Sequence, residues 1–148
     1  MFKDYYEILG ISQDMPQEGI RKSYRAMSLK CHPDKNPNID VTSIMQDINE
    51  AYSILKDQDK RHRYDIEYDT FKFSYNKEFT TKESASSNGS QWTYEYNVHD
   101  ETVKEDMDNA RQTAKKMVEE FMNSLKKTTV DAWNGMKIFI WATILVIL

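Results

Sequence analysis

Apolar residues recur at helical spacing along the N-terminal part of the chain, between short polar turns. Asp4 and Glu7 have the spacing of a capping box and Gly10 fits a helix stop, which together predict a short first helix. A second helix must end near His32, because Pro33 disfavours helical backbone in the residue before it. Its apolar stripe is Ile20, Tyr24, Met27 and Cys31.

A third helical stripe follows the polar loop around Pro37, and a short fourth helix is predicted over 60–64 or a little beyond. The stripe of the third helix is Ile44, Ile48, Ala51, Tyr52 and Leu55. Two antiparallel helices whose stripes face each other form a hairpin, and so few residues give it a thin core. The prediction for residues 1–68 is therefore an all-α domain, a helical hairpin with two short flanking helices.

Residues 69–97 change in composition and are predicted to be a flexible linker rich in serine and aromatic residues. The run 84–90 contains nothing that would form a core. Alternating aromatics leave a two-stranded hairpin as an equal alternative to disorder. These aromatics are Phe71, Phe73 and Tyr75 on one side and Tyr94 and Tyr96 on the other.

Residues 98–135 have the longest helical pattern, with acidic residues at its start and Lys126 and Lys127 near its end, which suits the helix dipole. Its apolar residues follow alternating steps of four and three, as in the seam of a coiled coil. They are Val103, Met107, Ala110, Ala114, Met117 and Phe121. We expect this seam either to pack back on the N-terminal domain, which we favour, or to mediate weak self-association.

The segment 136–148 is an apolar tail, uncharged from residue 138 onward. As a helix with a rise of about 1.5 Å per residue, the uncharged run covers roughly half of a ~30 Å hydrocarbon core. We expect a membrane anchor that contacts lipid, either complete or cut short, with an ordinary core helix as the alternative. Lys126, Lys127 and Lys137 precede the run, which favours a cytosolic N-terminal domain.

Composition argues against several classes of site. The chain has 148 residues, with 20 Lys and Arg against 24 Asp and Glu, and its net charge of −4 argues against nucleic acid as the main partner. One cysteine excludes an internal disulfide and a multi-cysteine zinc site, and the glycines and histidines lack phosphate-loop or metal-ligand spacing. We therefore expect no enzyme activity, no cofactor and no metal. No apolar signal-peptide core follows Met1, so we expect the N-terminal domain to stay in the cytoplasm.

A basic cluster nevertheless lies along the second helix, where Lys and Arg outnumber Asp and Glu over residues 16–36. Arg21 and Arg25 are four residues apart and share a helix face, with Lys22 beside them. This face is either an ordinary solvated surface or a docking surface for an acidic partner, and its direction toward the loop at His32 favours docking. A nucleic-acid binder is the weakest interpretation.

The tripeptide His32-Pro33-Asp34 lies between the second and third helices, and three further segments accompany it in a fixed order: 4–10 (DYYEILG), 51–57 (AYSILKD) and 60–65 (KRHRYD). Together these segments resemble the J-domain (DnaJ) family of co-chaperones. The resemblance implies that the basic helix face and the His-Pro-Asp loop bind a DnaK-class heat-shock chaperone and stimulate its ATPase. At matching positions the contact residues would be Arg21, Tyr24, Arg25, His32, Pro33, Asp34, Lys35 and Asn36.

Two positions depart from the family pattern. Ala26 stands where the family often has another basic residue, and Cys31 stands where it often has an aromatic. The chain also lacks a Gly/Phe-rich stretch and Cys-x-x-Cys repeats, so it resembles a minimal member that carries only the J domain. The predicted function is a co-chaperone that activates a DnaK-class chaperone at the cytosolic surface of a membrane. The alternative is a membrane-bound helical adaptor whose J-like domain does not stimulate ATPase.

Overall fold

A computed structural model describes residues 2–82 and 96–147, with side chains described for 2–74, 96–129 and Ala132. Within these ranges the helices are α1 (Tyr5–Leu9), α2 (Gln17–Lys30), α3 (Thr42–Leu55), α4 (Gln58–Lys82) and α5 (Glu101–Ile147). A 3₁₀ turn (Pro33–Lys35) lies in the loop between α2 and α3. No strand occurs among the described residues, and the predicted all-α class is confirmed.

The first helix begins and ends where the sequence predicts. The Asp4 carboxylate accepts a hydrogen bond from the Glu7 backbone N–H at 2.9 Å, which satisfies one of the free donors of the first turn. Gly10 follows the helix with φ of 64°, a left-handed conformation that costs little only for glycine. Because the cap and the glycine fix both ends of this short helix, Tyr5 and Leu9 lie buried in the core.

Helix α3 is buried on two faces, not one. Ile48, Ala51 and Leu55 are buried as predicted, whereas Ile44 is 44% exposed, so its place in the stripe was wrong. Glu50 and Ile54, on another side of the helix, are also buried. The second buried face exists because α5 lies along α3. The prediction that the C-terminal helix packs back on the N-terminal domain therefore agrees with the structure.

Helix α4 is much longer than the short helix predicted over 60–64 or a little beyond. Tyr64, Tyr68 and Phe71 recur four and three residues apart and form an aromatic stripe. The ring of Phe2 stacks on that of Tyr64 with a centroid distance of 5.3 Å, and Tyr96 meets Phe71 at 5.5 Å. These contacts explain why the helix continues past the matched motif.

The alternative prediction of a two-stranded hairpin was wrong for its first strand, because Phe71 and Phe73 lie in helix α4. The segment predicted as a linker, 69–97, thus begins inside α4, which ends at Lys82. Its serine-rich run, 84–90, lies outside the described residues, as does Tyr94. Tyr96 is 5% exposed and belongs to the core.

The buried stripe of α5 differs from the predicted seam by one position. Val103, Met107, Ala110, Ala114 and Val118 are buried, while Met117 is 52% exposed. A straight helix has 3.6 residues per turn, so its stripe drifts away from a strict seven-residue repeat. The side chain that faces α3 after Ala114 is therefore four residues later, at Val118, and not three.

Ion pairs anchor α5 on either side of this stripe. Asp106 lies 2.6 Å from Arg63 Nη2 and 3.0 Å from Lys60 Nζ, both on α4. Arg111 Nη2 lies 3.3 Å from Oε1 of Glu50, which is 1% exposed. The helix is thus held to α4 by charge and to α3 by both charge and apolar packing.

The buried carboxylate of Glu67 fixes the start of α5. It accepts hydrogen bonds from the Tyr96 hydroxyl at 2.7 Å and from the backbone N–H groups of His99 and Asp100 at 3.0 and 2.8 Å. Burial alone would raise the pKa of Glu67, but these three donors outweigh it and the pKa lies below its usual value. The resulting stabilisation is present above the unfolded-state pKa of about 4.3 and is lost as the pH falls through the folded-state pKa.

Replacing Glu67→Gln is expected to lower the free energy of unfolding by about 1–3 kcal/mol near neutral pH, because an amide cannot accept from all three donors. The loss of stability below pH about 4 should also become smaller in the variant than in the wild type, since the titrating group is gone. Urea denaturation at neutral and acidic pH measures both effects. Glu119→Gln, on the exposed face of α5, is the matched control. Equal stability of the two variants would contradict this role for Glu67.

The apolar tail from residue 138 belongs to α5, which runs to Ile147, and its side chains lie outside the described residues. Among the residues that the structure describes, none of the helices combines the length and the hydrophobicity needed to cross a membrane. The predicted transmembrane helix is therefore not supported. Attachment of the tail to a membrane surface stays a prediction.

Candidate functional site

The loop between α2 and α3 is closed by hydrogen bonds that converge on His32. The Nδ1 atom of His32 accepts from the Asp34 backbone N–H at 3.2 Å. Its carbonyl oxygen accepts from the Lys35 backbone N–H at 3.0 Å and from Asn36 Nδ2 at 2.9 Å. Asn36 Nδ2 also donates to the Lys30 carbonyl at the end of α2, at 2.9 Å. Asn36 therefore ties the loop to the preceding helix.

These bonds present the Asp34 carboxylate to solvent. Pro33 opens the 3₁₀ turn with a backbone angle already suited to it, and Asp34 follows with its side chain 77% exposed. In this arrangement Nδ1 of His32 accepts a hydrogen bond, which requires that Nδ1 carries no proton. Asp34 Oδ2 lies 3.7 Å from Nδ1. A cationic partner group approaching from solvent thus meets an accessible carboxylate on a fixed turn.

The basic residues of α2 lie on an exposed face of the helix that leads into this loop. Arg21, Lys22 and Arg25 are exposed, and they line an open groove of about 640 Å³. Tyr52 and Lys56, from α3 and its end, line the same groove. Neither residue was predicted from the sequence, because they become neighbours of α2 only when the hairpin forms.

Tyr24 and Asn36, two of the predicted contact residues, also hold the hairpin together. The ring of Tyr24 stacks on Tyr52 with a centroid distance of 3.9 Å and an interplanar angle of 7°. Its hydroxyl donates to Asn49 Oδ1 on α3 at 2.9 Å. Tyr24 is half-buried, so its first effect is to set the position of α2 and of the basic face relative to α3.

Phe121, on α5, also reaches the loop. Its ring lies 5.6 Å from that of His32, centroid to centroid, with an interplanar angle of 68°. The apolar spacing predicts that Phe121 belongs to the seam of the helix, but no sequence signal predicts this contact, since 89 positions separate the two residues. Only the packing of α5 on α3 brings them together.

The loop, the basic face and the hairpin fall within a segment that matches a known family model, the DnaJ domain, at residues 4–65. Residues 4–65 form a DnaJ domain. The matched range contains α1, α2, α3 and the beginning of α4. The remainder of α4 and the whole of α5 lie outside it.

Curated relatives of the DnaJ domain agree with this assignment. The chain is 50% identical over 66 residues to a chaperone protein DnaJ of Chlorobium luteolum, a match that covers 44% of this chain and 17% of the relative. It is 49% identical over 63 residues to a chaperone protein DnaJ of Methanosarcina thermophila, covering 43% of this chain and 16% of the relative. The chain therefore spans less than a fifth of the length of these relatives.

Among solved structures, the crystal structure of a J-Trx1 fragment of ERdj5 is similar to this chain. The two are 40% identical, with a TM-score of 0.41, and the match covers 43% of this chain and 32% of the fragment.

Two departures from the family pattern can now be located on the DnaJ domain. Ala26 is exposed on α2 one residue after Arg25, so the basic face has one charge fewer than is frequent in the family. Cys31 is half-buried and packs against the core. It thus occupies the place of a larger side chain directly before His32.

Proposed function

We propose that this chain is a co-chaperone that docks on a DnaK-class heat-shock chaperone and stimulates its ATP hydrolysis. The observation that carries the proposal is the exposed Asp34 carboxylate on its fixed turn, at the end of the helix that carries the basic face of a DnaJ domain. The proposed contact residues are Arg21, Tyr24, Arg25, His32, Pro33, Asp34, Lys35 and Asn36.

The two parts of this surface would act differently. The exposed charges of Arg21, Lys22 and Arg25 attract an acidic surface over several ångströms, which raises the association rate and makes it depend on salt. The Asp34 carboxylate can form a bidentate, charge-assisted pair with an arginine of the partner, which fixes orientation and slows dissociation. The first part supports encounter and the second supports a specific complex.

The double variant Arg21→Ala/Arg25→Ala is expected to lower the association rate for a DnaK-class chaperone by about tenfold at low salt, and less at high salt. Surface plasmon resonance across a range of ionic strength measures both effects. Lys115→Ala/Lys116→Ala is the matched control, because it removes the same charge from the exposed side of α5. An equal effect of the two double variants would show that net charge alone, and not this face, drives association.

We further propose that the tail holds the co-chaperone at the cytosolic surface of a membrane. The uncharged run from residue 138 and the lysines before it, Lys126, Lys127 and Lys137, support this location. Flotation of the full chain with anionic lipid vesicles tests it, with Ile140→Lys as the variant expected to stay at the bottom of the gradient. Wild-type protein that stays at the bottom would contradict it.

Weak self-association through α5 remains the smaller proposal. The buried stripe of α5 is covered by α3 within one chain, so an association would have to use the exposed side, where Met117 lies. Sedimentation velocity of the full chain over a range of concentrations tests it. A single monomer boundary at every concentration would exclude it.

A further inference from the structure

We infer that Phe121 of α5 is a positioning residue for the docking loop, holding the His32 ring and through it the Asp34 carboxylate. This inference rests on the proposed function and deepens it. It assigns a part in docking to a helix that lies outside the DnaJ domain.

His32 is the residue through which the loop is organised. Its carbonyl oxygen accepts the two hydrogen bonds that close the turn, from Lys35 and Asn36, and its ring nitrogen accepts from the Asp34 N–H. The carbonyl is fixed by the turn, but the ring can rotate about its side-chain bonds unless something packs against it. A rotation would withdraw Nδ1 from the Asp34 N–H and release the residue that carries the carboxylate.

Phe121 supplies that packing in a T-shaped contact of 5.6 Å between ring centroids, an arrangement that aromatic rings favour. The His32 side chain is 31% exposed, so the ring has neighbours on some sides only. Its two directional contacts among the described residues come from Asp34 and from Phe121. The loop thus constrains the His32 ring through the Asp34 hydrogen bond, and α5 constrains it through the Phe121 ring.

The position of Phe121 is determined by the packing of α5. Ala110, Ala114 and Val118 are buried at successive turns, and the two alanines allow α5 to approach α3 closely. Phe121 follows Val118 by three residues and so projects from the same side of the helix. Because α3 begins where the loop ends, a helix fixed on α3 is also fixed relative to the loop.

A second, weaker feature connects α5 with the far end of the loop. The pKa of the Asp40 carboxyl is lowered, first by hydrogen bonds from Thr42 and also by the charge of Lys126. Lys126 is five residues beyond Phe121. α5 therefore runs past the loop from His32 to the region of Asp40.

Helix α5 contacts His32 but leaves the charged residues of the docking surface exposed. With α5 in place, Arg21, Arg25 and Asp34 remain exposed, and the residues that line the basic groove all come from α2, α3 and the end of α3. Support of the loop, and not obstruction of the site, is therefore the function that we assign to Phe121. Its loss should reduce stimulation of the partner.

The test compares Phe121→Leu, which keeps an apolar side chain but removes the ring, with Phe121→Tyr, which restores the ring. In single-turnover ATP hydrolysis by a DnaK-class chaperone, Phe121→Leu in the full chain is expected to reduce stimulation about three- to tenfold. Phe121→Tyr should retain most of it. Met117→Leu, one turn away on the exposed side of α5, is the matched control and should behave as the wild type.

The same variants have a readout that does not depend on the partner. The Cε1–H signal of His32 in the NMR spectrum should shift in Phe121→Leu and return toward its wild-type position in Phe121→Tyr. The signals of His62 and His99 should not move. Circular dichroism melting of each variant separates this local effect from a loss of folding.

Three results would overturn the inference. Unchanged stimulation by Phe121→Leu would show that the ring contact has no effect on docking. Increased stimulation would show that α5 covers the site. An unmoved His32 signal would show that the contact does not act on that ring. A different result, no stimulation by the wild type while the His32 signal responds to Phe121→Leu, would contradict the proposed function and leave the structural contact standing.

Discussion

Asp34→Asn is expected to weaken binding to a DnaK-class chaperone by about 30-fold or more, because truncating a charged hydrogen-bonded pair in an interface costs about 2–5 kcal/mol. The variant keeps the shape of the side chain and the backbone N–H that donates to His32 Nδ1. It removes only the negative charge that an arginine of the partner would meet. Isothermal titration calorimetry with the ATP-bound chaperone measures the change.

Asp108→Asn is the matched control for this variant. Asp108 is also an exposed aspartate, with its side chain 53% accessible on α5, and it pairs with Arg111 on the same helix. Its replacement removes the same charge at a distance from the loop and should leave affinity unchanged. If Asp34→Asn and Asp108→Asn bind the chaperone with equal affinity, Asp34 is not part of the docking site.

Glu50→Ala should lower the free energy of unfolding by about 2–3 kcal/mol, because the hydroxyl of the buried Tyr5 loses its acceptor and Lys3 and Arg111 lose a shared carboxylate. Glu50 is 1% exposed and accepts hydrogen bonds from Lys3 Nζ at 2.7 Å and from the Tyr5 hydroxyl at 2.8 Å. Arg111 of α5 lies 3.3 Å from the same carboxylate. The substitution therefore affects the N-terminal segment, α1, α3 and α5 together.

The neighbouring ion pair of Lys3 provides an internal comparison. Asp47 lies at the same 2.7 Å from Lys3 Nζ, but its side chain is 42% exposed. Water screens that pair, so Asp47→Ala should cost no more than about 1 kcal/mol. Urea denaturation of the two variants measures the difference. Similar losses from both would show that burial does not determine the strength of these pairs.

The sequence was sufficient to predict the features that depend on neighbours along the chain. The short first helix follows from the Asp4 cap and the Gly10 stop, and the end of α2 follows from the effect of Pro33 on the preceding backbone. The stripe that contains Ile20 follows from helical periodicity. Each depends on local energies that are similar in any protein, and each is found in the structure.

Other features depend on contacts between distant segments and were not predicted. Helix α4 continues beyond the predicted end because its aromatic stripe packs against Phe2 and Tyr96. Both partners are distant in sequence, so no local pattern predicts the length of the helix. The burial of Glu50 needs Lys3, Tyr5 and Arg111 to converge from three parts of the chain. No local pattern contains that information.

The candidate site divides in the same way. The basic face and the His32-Pro33-Asp34 loop are continuous in sequence, so their residues could be named in advance. The contributions of Tyr52 and Lys56 to the groove, and of Phe121 to the loop, arise from helix packing. Substitutions at Tyr52, Lys56 and Phe121 measure how helix packing affects docking while the His32-Pro33-Asp34 loop keeps its sequence.

The alternative function, a membrane-bound adaptor that does not stimulate ATPase, makes the opposite prediction for catalysis by the partner. An adaptor of this kind would keep its folded hairpin and its tail but would leave the ATP hydrolysis rate of the chaperone at its basal value. Binding measurements alone do not separate the two functions. A rate measurement does.

The most direct test of the central claim is single-turnover ATP hydrolysis by a DnaK-class chaperone with the full chain added as wild type or as His32→Gln. We predict a clear acceleration by the wild type that His32→Gln removes, while circular dichroism shows both proteins folded. A folded wild-type protein that leaves the hydrolysis rate unchanged across several DnaK-class chaperones would contradict the co-chaperone function and favour the adaptor.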